Sequence, residues 1–229
     1  MSGPAGAILL AAGQGKRLGH DKSITEIAGQ PVLAHPLRPL LDCPSIEQVV
    51  VTVRADVLEP ARKWFQSSDF PQSRVRFIAG GKERQDSVWE GLEALGSSVE
   101  WAVVHDAARV LTTRSLIEKV MTAARKSGAA AAASKMSDTV RATDAPGKIL
   151  RLVDREGLWR METPQVVKAE ILRKGLALAR GRKIIVTDCL AAAELAGVSG
   201  VLVESGEPNL KITVPADWAL SELWLKQWR

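Results

Sequence analysis

Short runs of apolar residues alternate along this chain with segments in which apolar residues recur every three or four positions. The short runs are typical of buried strands, and the periodic segments are typical of helices. The predicted strands are residues 7–12, 48–53, 75–79, 101–104, 128–133, 200–203 and 210–213. The predicted helices are residues 31–41, 56–66, 84–95, 112–126, 168–179 and 187–196, with a last helix from Pro215. This alternation predicts a Rossmann-like three-layer α/β fold with a mostly parallel sheet.

The alternation stops between residues 137 and 158. Extended runs at 138–141 and 149–153 are joined by a Thr-Asp-Ala-Pro-Gly turn, which predicts a β-hairpin arm protruding from the sheet. An isolated hairpin is marginally stable unless something covers it, and a second subunit is the simplest cover. We therefore expect a single domain over residues 1–229, with the arm 137–158 inserted in it, and a homodimer.

The composition is that of an ordinary folded protein, with 46% hydrophobic and 25% charged residues over 229 positions. A net charge of +5 favours anionic ligands, but the basic residues are scattered, so phosphorylated small molecules are expected rather than nucleic acid. Cys43 and Cys189 lack metal-ligand spacing, the start does not resemble a signal peptide, and no apolar run approaches the roughly 20 residues of a membrane helix. We therefore expect a cytoplasmic protein with reduced thiols and no membrane association.

The first predicted strand leads into a glycine-rich, basic loop. Gly13, Gly15 and Gly19 are spaced G-x-G-x-x-x-G, one residue longer than the dinucleotide fingerprint, and no G-K-[ST] follows to make a P-loop. A loop of this kind after a buried strand presents backbone N–H groups and cations to phosphates. It indicates nucleotide binding with Arg17 and Lys22 as charge donors, although a plain glycine-rich turn would also account for the glycines.

Polar residues also follow two other predicted strands, at the edge where parallel α/β sheets bind ligands. Asp106 comes after strand 101–104 and His105, where it could hold a divalent cation against phosphates or simply cap the next helix. Gly80 and Gly81 leave room for a base or sugar, and the Ser87 hydroxyl suits a ribose or base edge. A routine loop with a helix cap explains those three residues equally well.

Several segments together resemble the family of 2-C-methyl-D-erythritol 4-phosphate cytidylyltransferases. They are LLAAGQGKRLG, AGGKERQDSVWEGL, VVHDAAR, SDTV, VDREGLW, ETPQ, the Thr-Asp pair at 187–188 and NLKIT. They follow the family's order and approximate spacing along almost the whole chain, and HDAAR with VDR-x-x-LW and TPQ is a specific combination. The resemblance implies a nucleotidyltransferase that uses CTP, a sugar-alcohol phosphate and Mg²⁺ to form a CDP-alcohol and pyrophosphate in isoprenoid precursor synthesis.

The resemblance also implies roles for individual residues. Those that match the nucleotide site are Ala11, Ala12, Gly13, Gly15, Gly81, Ser87 and Ala107. The catalytic cations around the α-phosphate are matched by Arg17, Lys22 and Lys211, and the magnesium ligand is matched by Asp106. Positions associated with the acceptor phosphate, some of them reaching across a dimer, are matched by Thr139, Arg155 and Thr163. Because the acceptor phosphate is already an anion at neutral pH, no general base is required, and we interpret His105 as structural.

The chain departs from the family pattern close to the expected site. Asp21 and Val110 stand where the family usually has proline, and Cys189 replaces an acidic residue after Thr187-Asp188. An acidic neighbour could hold Lys22 in a salt bridge. Two alternatives therefore stay open: a cytidylyltransferase for another polyol phosphate, such as ribitol 5-phosphate, and a nucleotide-binding relative without catalytic activity.

Overall fold

The computed structural model describes residues 3–13, 23–145 and 147–227. The strands are β1 (Ala5–Ala11), β2 (Glu26–Ile27), β3 (Gln30–Pro31), β4 (Ile46–Val53), β5 (Val75–Ala79), β6 (Trp101–Asp106), β7 (Ala129–Lys135), β8 (Val140–Thr143), β9 (Ile149–Val153), β10 (Trp159–Lys168) and β11 (Val201–Glu204). The helices are α1 (Ala34–Leu41), α2 (Leu58–Gln66), α3 (Arg84–Leu95), α4 (Arg114–Ser127), α5 (Ala169–Gly181), α6 (Cys189–Leu195) and α7 (Pro215–Gln227). Across these described ranges, no helix combines the length and apolar character needed to cross a bilayer.

The described strands build one large sheet in the order β11-β7-β10-β6-β1-β4-β5. β6, β1, β4 and β5 run parallel to one another, and β7 runs parallel to β11. β10 is antiparallel to both of its neighbours, β6 and β7. The carboxyl end of β6, which carries Asp106, therefore lies near the middle of the sheet.

Helices cover both faces of the sheet, as the sequence predicts. On one face α1, α2 and α4 contribute Leu37, Phe65 and Ile117 to a buried cluster. On the other face α3, α5 and α6 pack through side chains such as Leu92 and Leu172. In α4 the periodic apolar residues form the buried side, and Thr113 caps its start by accepting a hydrogen bond from the backbone N–H of Leu116. The result is the expected three-layer α/β arrangement.

A smaller apolar cluster lies beneath the residues that follow β6. Val110 and Leu111 pack there with Ile27 of β2, Ile212 and Leu225 of α7. Val110, one of the departures from the family pattern, is thus a buried core residue. The cluster joins the turn after Asp106 to the segment that carries Lys211.

The hairpin arm is present where the sequence predicts it. β8 and β9 pair antiparallel with each other, with Val140 opposite Val153 and Thr143 opposite Ile149. The apolar side chains of Ile149, Leu150 and Leu152 are between 55% and 62% exposed. The arm thus presents apolar residues to solvent in the single chain.

In the last third of the chain the structure contains one strand that was not predicted and lacks one that was. β10 was not predicted, because Glu162, Pro164 and Gln165 interrupt its apolar pattern, and its pairing with β7 is irregular between Met161 and Gln165. The strand predicted at 210–213 is absent, since these described residues form neither strand nor helix. They are held instead by contacts such as the bond from Ile212 N–H to the Ala108 carbonyl at 2.8 Å.

Candidate active site

The loops that follow β1, β5 and β6 meet at one edge of the sheet around a cavity of about 240 Å³. The sequence-predicted residues that line it are Ala11, Ala12, Gly13, Gly81, Ser87, Asp106, Ala107 and Lys211. Gly15, Arg17 and Lys22 fall outside the described residues. The structure therefore brings together the described members of the predicted nucleotide site, the predicted magnesium ligand and Lys211.

Close packing at the end of β5 explains why glycines occur there. A Cβ on Gly81 would lie 2.3 Å from the Cβ of Asp86, and one on Gly80 would lie 2.6 Å from the Cβ of Ala12. The N–H of Gly81 donates to the Ser87 hydroxyl at 3.1 Å, so Ser87 supports this turn as well as lining the cavity. The first turn of α3 thereby opens directly onto the cavity, and a helix N-terminus favours anions such as phosphate.

Asp106 is a buried carboxylate between two cations. Its Oδ2 lies 2.7 Å from the Nζ of Lys211, and its Oδ1 lies 3.4 Å from the guanidinium of Arg84. Burial by itself raises the pKa of Asp106, but the charges of Arg84 and Lys211 outweigh it and hold this pKa well below its usual range. Asp106 is therefore ionised at neutral pH and provides a fixed negative charge in the cavity.

Arg84 is a site residue that the sequence analysis did not single out. It is the first residue of α3 and lines the cavity beside Asp106. Its Nη1 lies 3.8 Å from the Sγ of Cys189, and its Nη2 lies 3.5 Å from Oε1 of Gln165. Burial raises the pKa of the Cys189 thiol, so Cys189 is an uncharged neighbour of Arg84. The signal available in the sequence was the position of Arg84 in a segment already matched to the family.

A chain of hydrogen bonds runs behind Asp106. Burial lowers the pKa of His105 to about 4, so its ring is neutral at pH 7. Nε2 lies 3.3 Å from the Arg109 carbonyl, which can only accept, and Nε2 therefore carries the proton. Nδ1 then accepts from the Thr163 hydroxyl at 3.0 Å, and Thr163 Oγ1 accepts from the Asp106 N–H at 3.0 Å. This arrangement is consistent with the structural interpretation of His105.

The residues matched to the acceptor phosphate do not lie together in the single chain. Thr163 is 2% exposed and sits behind Asp106. Thr139 and Arg155 are exposed at the base of the arm, where the Arg155 guanidinium donates to the Ser137 carbonyl. Neither Thr139 nor Arg155 is among the residues that line the cavity around Asp106.

The chemistry of the cavity suits magnesium when a triphosphate is also bound. Mg²⁺ is commonly held by one or two carboxylates together with substrate phosphates. Asp106 is ionised, and each of its oxygens keeps a lone pair beyond its contact with a cation. Within the described ranges, no group of three or more His, Cys, Asp or Glu side chains could hold a metal ion. Asp106 therefore offers one carboxylate ligand, which fits a magnesium ion whose other ligands include substrate phosphates.

A cavity at the carboxyl ends of parallel strands, lined by a helix N-terminus, lysine, arginine and an ionised aspartate, is typical of α/β proteins that handle nucleotides. Comparison with known families narrows this class to the nucleotidyltransferases. The model of the IspD family, 2-C-methyl-D-erythritol 4-phosphate cytidylyltransferase, matches residues 6–227. The chain belongs to this family.

Individual relatives are similar to this chain over nearly their full length. The 2-C-methyl-D-erythritol 4-phosphate cytidylyltransferase of Desulforamulus reducens is 33% identical over 223 residues, covering 96% of this chain and 95% of the relative. That of Pelotomaculum thermopropionicum is 37% identical over 226 residues, covering 96% and 93%. The crystal structure of 4-diphosphocytidyl-2C-methyl-D-erythritol synthase from Anaerococcus prevotii superimposes with a TM-score of 0.84 at 25% identity, covering 98% of this chain and 99% of that one. These comparisons confirm the family resemblance, the α/β fold and the enzyme class.

Proposed function

We propose that this protein transfers the CMP group of CTP to 2-C-methyl-D-erythritol 4-phosphate, forming a CDP-alcohol and pyrophosphate in isoprenoid precursor synthesis. The observation that carries the proposal is the cluster of Asp106, Lys211 and Arg84 at the wall of a cavity built from the loops after β1, β5 and β6. Family membership supports both the nucleotide and the acceptor. We also propose that the enzyme acts in the cytoplasm.

The cavity suggests how CTP is placed. The cytidine lies against Gly81 and Ser87, where the packed turn exposes backbone groups. The triphosphate extends toward Gly13 and the first turn of α3, whose N–H groups favour phosphate. Arg17 and Lys22, which lie outside the described residues, add positive charge from the glycine-rich loop on this proposal.

The reaction needs positioning and charge stabilisation more than proton transfer. A phosphate oxygen of the acceptor attacks the α-phosphorus of CTP, and the bond from that phosphorus to the bridging oxygen breaks, so pyrophosphate leaves with the electron pair. Lys211, Lys22 and Arg17 offset the negative charge that gathers around the α-phosphate. A magnesium ion held by Asp106 and the triphosphate would supply further charge neutralisation. Arg84 keeps the Asp106 carboxylate in place.

The acceptor side is completed by a second copy of the chain on this proposal. Thr139 and Arg155 are exposed at the base of the arm, away from the residues that line the cavity. The exposed Ile149, Leu150 and Leu152 give the arm an apolar surface that a partner subunit can cover. In a homodimer of this kind the arm of one subunit brings its Thr139 and Arg155 to the acceptor phosphate of the other.

A pyrophosphate-release assay with purified enzyme and Mg²⁺ tests the proposed function. We expect turnover with CTP and 2-C-methyl-D-erythritol 4-phosphate, and much slower turnover when ATP, GTP or UTP replaces CTP. Ribitol 5-phosphate is the matched acceptor control. Faster turnover with ribitol 5-phosphate would replace the proposed acceptor, and CTP binding without turnover on any polyol phosphate would indicate a non-catalytic relative.

A further inference from the structure

A buried glutamate is one of the groups that anchor the segment carrying Lys211. Residues 205–213, all described, form neither helix nor strand. The backbone N–H of Ser205 donates to the Ala133 carbonyl at 3.0 Å and holds the start of this segment to β7. Glu162 of β10 is 4% exposed, and its Oε2 accepts from the Ser205 hydroxyl at 2.7 Å and from the Asn209 side-chain amide at 2.8 Å. One carboxylate oxygen therefore forms hydrogen bonds with both the start and the middle of the segment.

Further bonds fix the chain on both sides of Lys211. The Asn209 amide also donates to the Thr163 carbonyl at 2.8 Å, and the Asn209 carbonyl accepts from the Arg109 guanidinium at 2.6 Å. After Lys211, the buried Ile212 donates its N–H to the Ala108 carbonyl at 2.8 Å. The backbone on either side of Lys211 is thus held to β10 and to the turn after β6.

The Lys211 side chain itself is only partly held. It is 41% exposed, and a lysine side chain has four rotatable bonds, so its packing does not define one position. Its approach to Asp106 at 2.7 Å depends on where the backbone at 209–212 lies. Oε2 of Glu162 is one of the groups that fix this position, because it accepts from the Asn209 side chain.

We infer that Glu162 is a positioning residue for the transfer reaction, which places Lys211 against Asp106 by holding Ser205 and Asn209. The inference rests on the proposed function, because it assigns the placement of Lys211 to that reaction. Oε2 takes both bonds, whereas Oε1 lies 3.9 Å from Arg160, whose side chain is 72% exposed. The bonds from Ser205 and Asn209 need an acceptor oxygen at the Oε2 position, which an uncharged amide also provides.

This requirement separates two substitutions at the same position. Glu162→Gln keeps a carbonyl oxygen that can accept from both Ser205 and Asn209. Glu162→Met keeps the length of the side chain and removes both acceptors. Glu170→Met is the matched control, because it makes the same change at an exposed glutamate on α5.

The first measurement is independent of turnover. The free enzyme is treated briefly with acetic anhydride, and acetylation of Lys211 is followed by peptide mass spectrometry. An ammonium group paired with Asp106 must leave the carboxylate and lose a proton before its nitrogen can attack the anhydride and release acetate. We expect faster labelling of Lys211 in Glu162→Met than in wild type, and wild-type labelling in Glu162→Gln and Glu170→Met. Equal labelling in all four proteins would overturn the inference.

The second measurement is a kinetic double-mutant cycle with Lys211→Ala. Because misplacing a catalytic group by about 1 Å can cost about 10²-fold, Glu162→Met should lower kcat by about that factor in the wild-type background. In the Lys211→Ala background the same change should alter kcat by no more than about twofold, since Glu162 acts through Lys211. Equal losses in both backgrounds would mean that Glu162 only stabilises the fold. Glu162→Gln should keep most of the wild-type kcat.

Two further outcomes are distinguishable. If wild-type enzyme releases no pyrophosphate from CTP with any acceptor, the proposed function fails, while the labelling experiment still decides whether Glu162 places Lys211. If Glu162→Met does not fold, Ser205→Ala carries the same test, because it removes one of the two bonds to Oε2. Lys211 should be labelled faster in Ser205→Ala than in wild type, as in Glu162→Met. A wild-type labelling rate in Ser205→Ala would overturn the inference.

Discussion

The hydroxyl oxygen of Thr163 accepts a hydrogen bond from the backbone N–H of Asp106 at 3.0 Å and so joins β10 to the carboxyl end of β6. Thr163 is buried, and its own proton goes to His105. The residue matched to the acceptor phosphate thus also sets the position of Asp106 from behind. The structure of the protein without substrate therefore already depends on the hydroxyl of Thr163.

Thr163→Val should therefore weaken both stability and turnover. Valine has nearly the same shape but leaves the buried Asp106 N–H and the His105 Nδ1 without partners, at a cost of about 1–3 kcal/mol. Thr163→Ser keeps the hydroxyl and is the matched control. Chemical denaturation followed by circular dichroism measures the stability change, and a Thr163→Val protein as stable as Thr163→Ser would contradict the proposed coupling.

Removing the charge of Asp106 should abolish most turnover. Asp106→Asn leaves Lys211 and Arg84 without their shared anion and removes the carboxylate proposed to hold magnesium, so we expect kcat to fall by about 10²–10³-fold. Asp69→Asn, at a solvent-exposed pair with Arg38, is the control and should behave like wild type. The pyrophosphate assay measures both variants, and near-normal kcat in Asp106→Asn would remove Asp106 from the mechanism.

Stability should fall in mildly acidic solution because of His105. Its pKa is about 4 in the folded protein and about 6.5 when unfolded, so the unfolded chain binds the proton more readily between these values. Neutral His105 makes its full contribution to the free energy of unfolding above about pH 6.5. As the pH falls toward 4, this free energy decreases by about 3 kcal/mol.

Denaturation curves of wild type and His105→Gln across this pH range check the expectation. The variant should be less stable at neutral pH, and the part of the pH dependence that belongs to His105 should disappear. The unfolded chain also begins to protonate Asp106 near the acidic end of this range, and the comparison with His105→Gln separates the two because Asp106 is present in both proteins. Identical pH dependence in the two proteins would show that His105 does not titrate as its burial requires.

The arm should determine the oligomeric state. Leu150→Asp combined with Leu152→Asp introduces charge into the exposed apolar surface of β9 and should give a monomer of 24.7 kDa where wild type has twice that mass. Ile185→Asp is the matched control, because Ile185 is 67% exposed but lies outside the arm. Light scattering after size-exclusion chromatography separates these outcomes. A monomeric wild-type protein at micromolar concentration would rule out the dimer.

Both cysteines should resist alkylation in the native protein. Burial raises the pKa of Cys43 to about 12 and also raises the pKa of Cys189. Since the thiolate is the reactive form, iodoacetamide at about pH 8 should label neither thiol, while both should react after unfolding in guanidinium. Mass spectrometry reads the result, and native labelling of Cys189 would show that Arg84 activates this thiol.

The hydrophobic pattern predicted the layers of this fold because each strand and helix carries its own burial signal. β6 and α4, for example, lie where their apolar periodicity places them. β10 could not be predicted because its buried polar side chains form hydrogen bonds with residues that are far away in the sequence. Gln165, for instance, accepts from the N–H of Cys189, and Glu162 bonds to Asn209.

Some features of the candidate site could likewise be predicted from the sequence, and others could not. Asp106 and Ser87 could be proposed because they follow strand ends that the pattern reveals. Lys211 was named only through the family resemblance. Its contact with Asp106 could not be predicted from the pattern, since Lys211 is 105 positions away in an irregular segment. Arg84 stood in a matched motif, yet only the three-dimensional contact with Asp106 gives it a function in the site.

The place of β10 between β6 and β7 has a consequence for how the protein is made on the ribosome. β7 is synthesised before β10, but it pairs with β10 on one edge and with β11 on the other. A nascent chain that ends before Trp159 can assemble β6, β1, β4 and β5, while β7 still lacks the neighbours on both of its edges. The four parallel strands on the β6 side are therefore all synthesised before β7, and Lys211 is synthesised after β11.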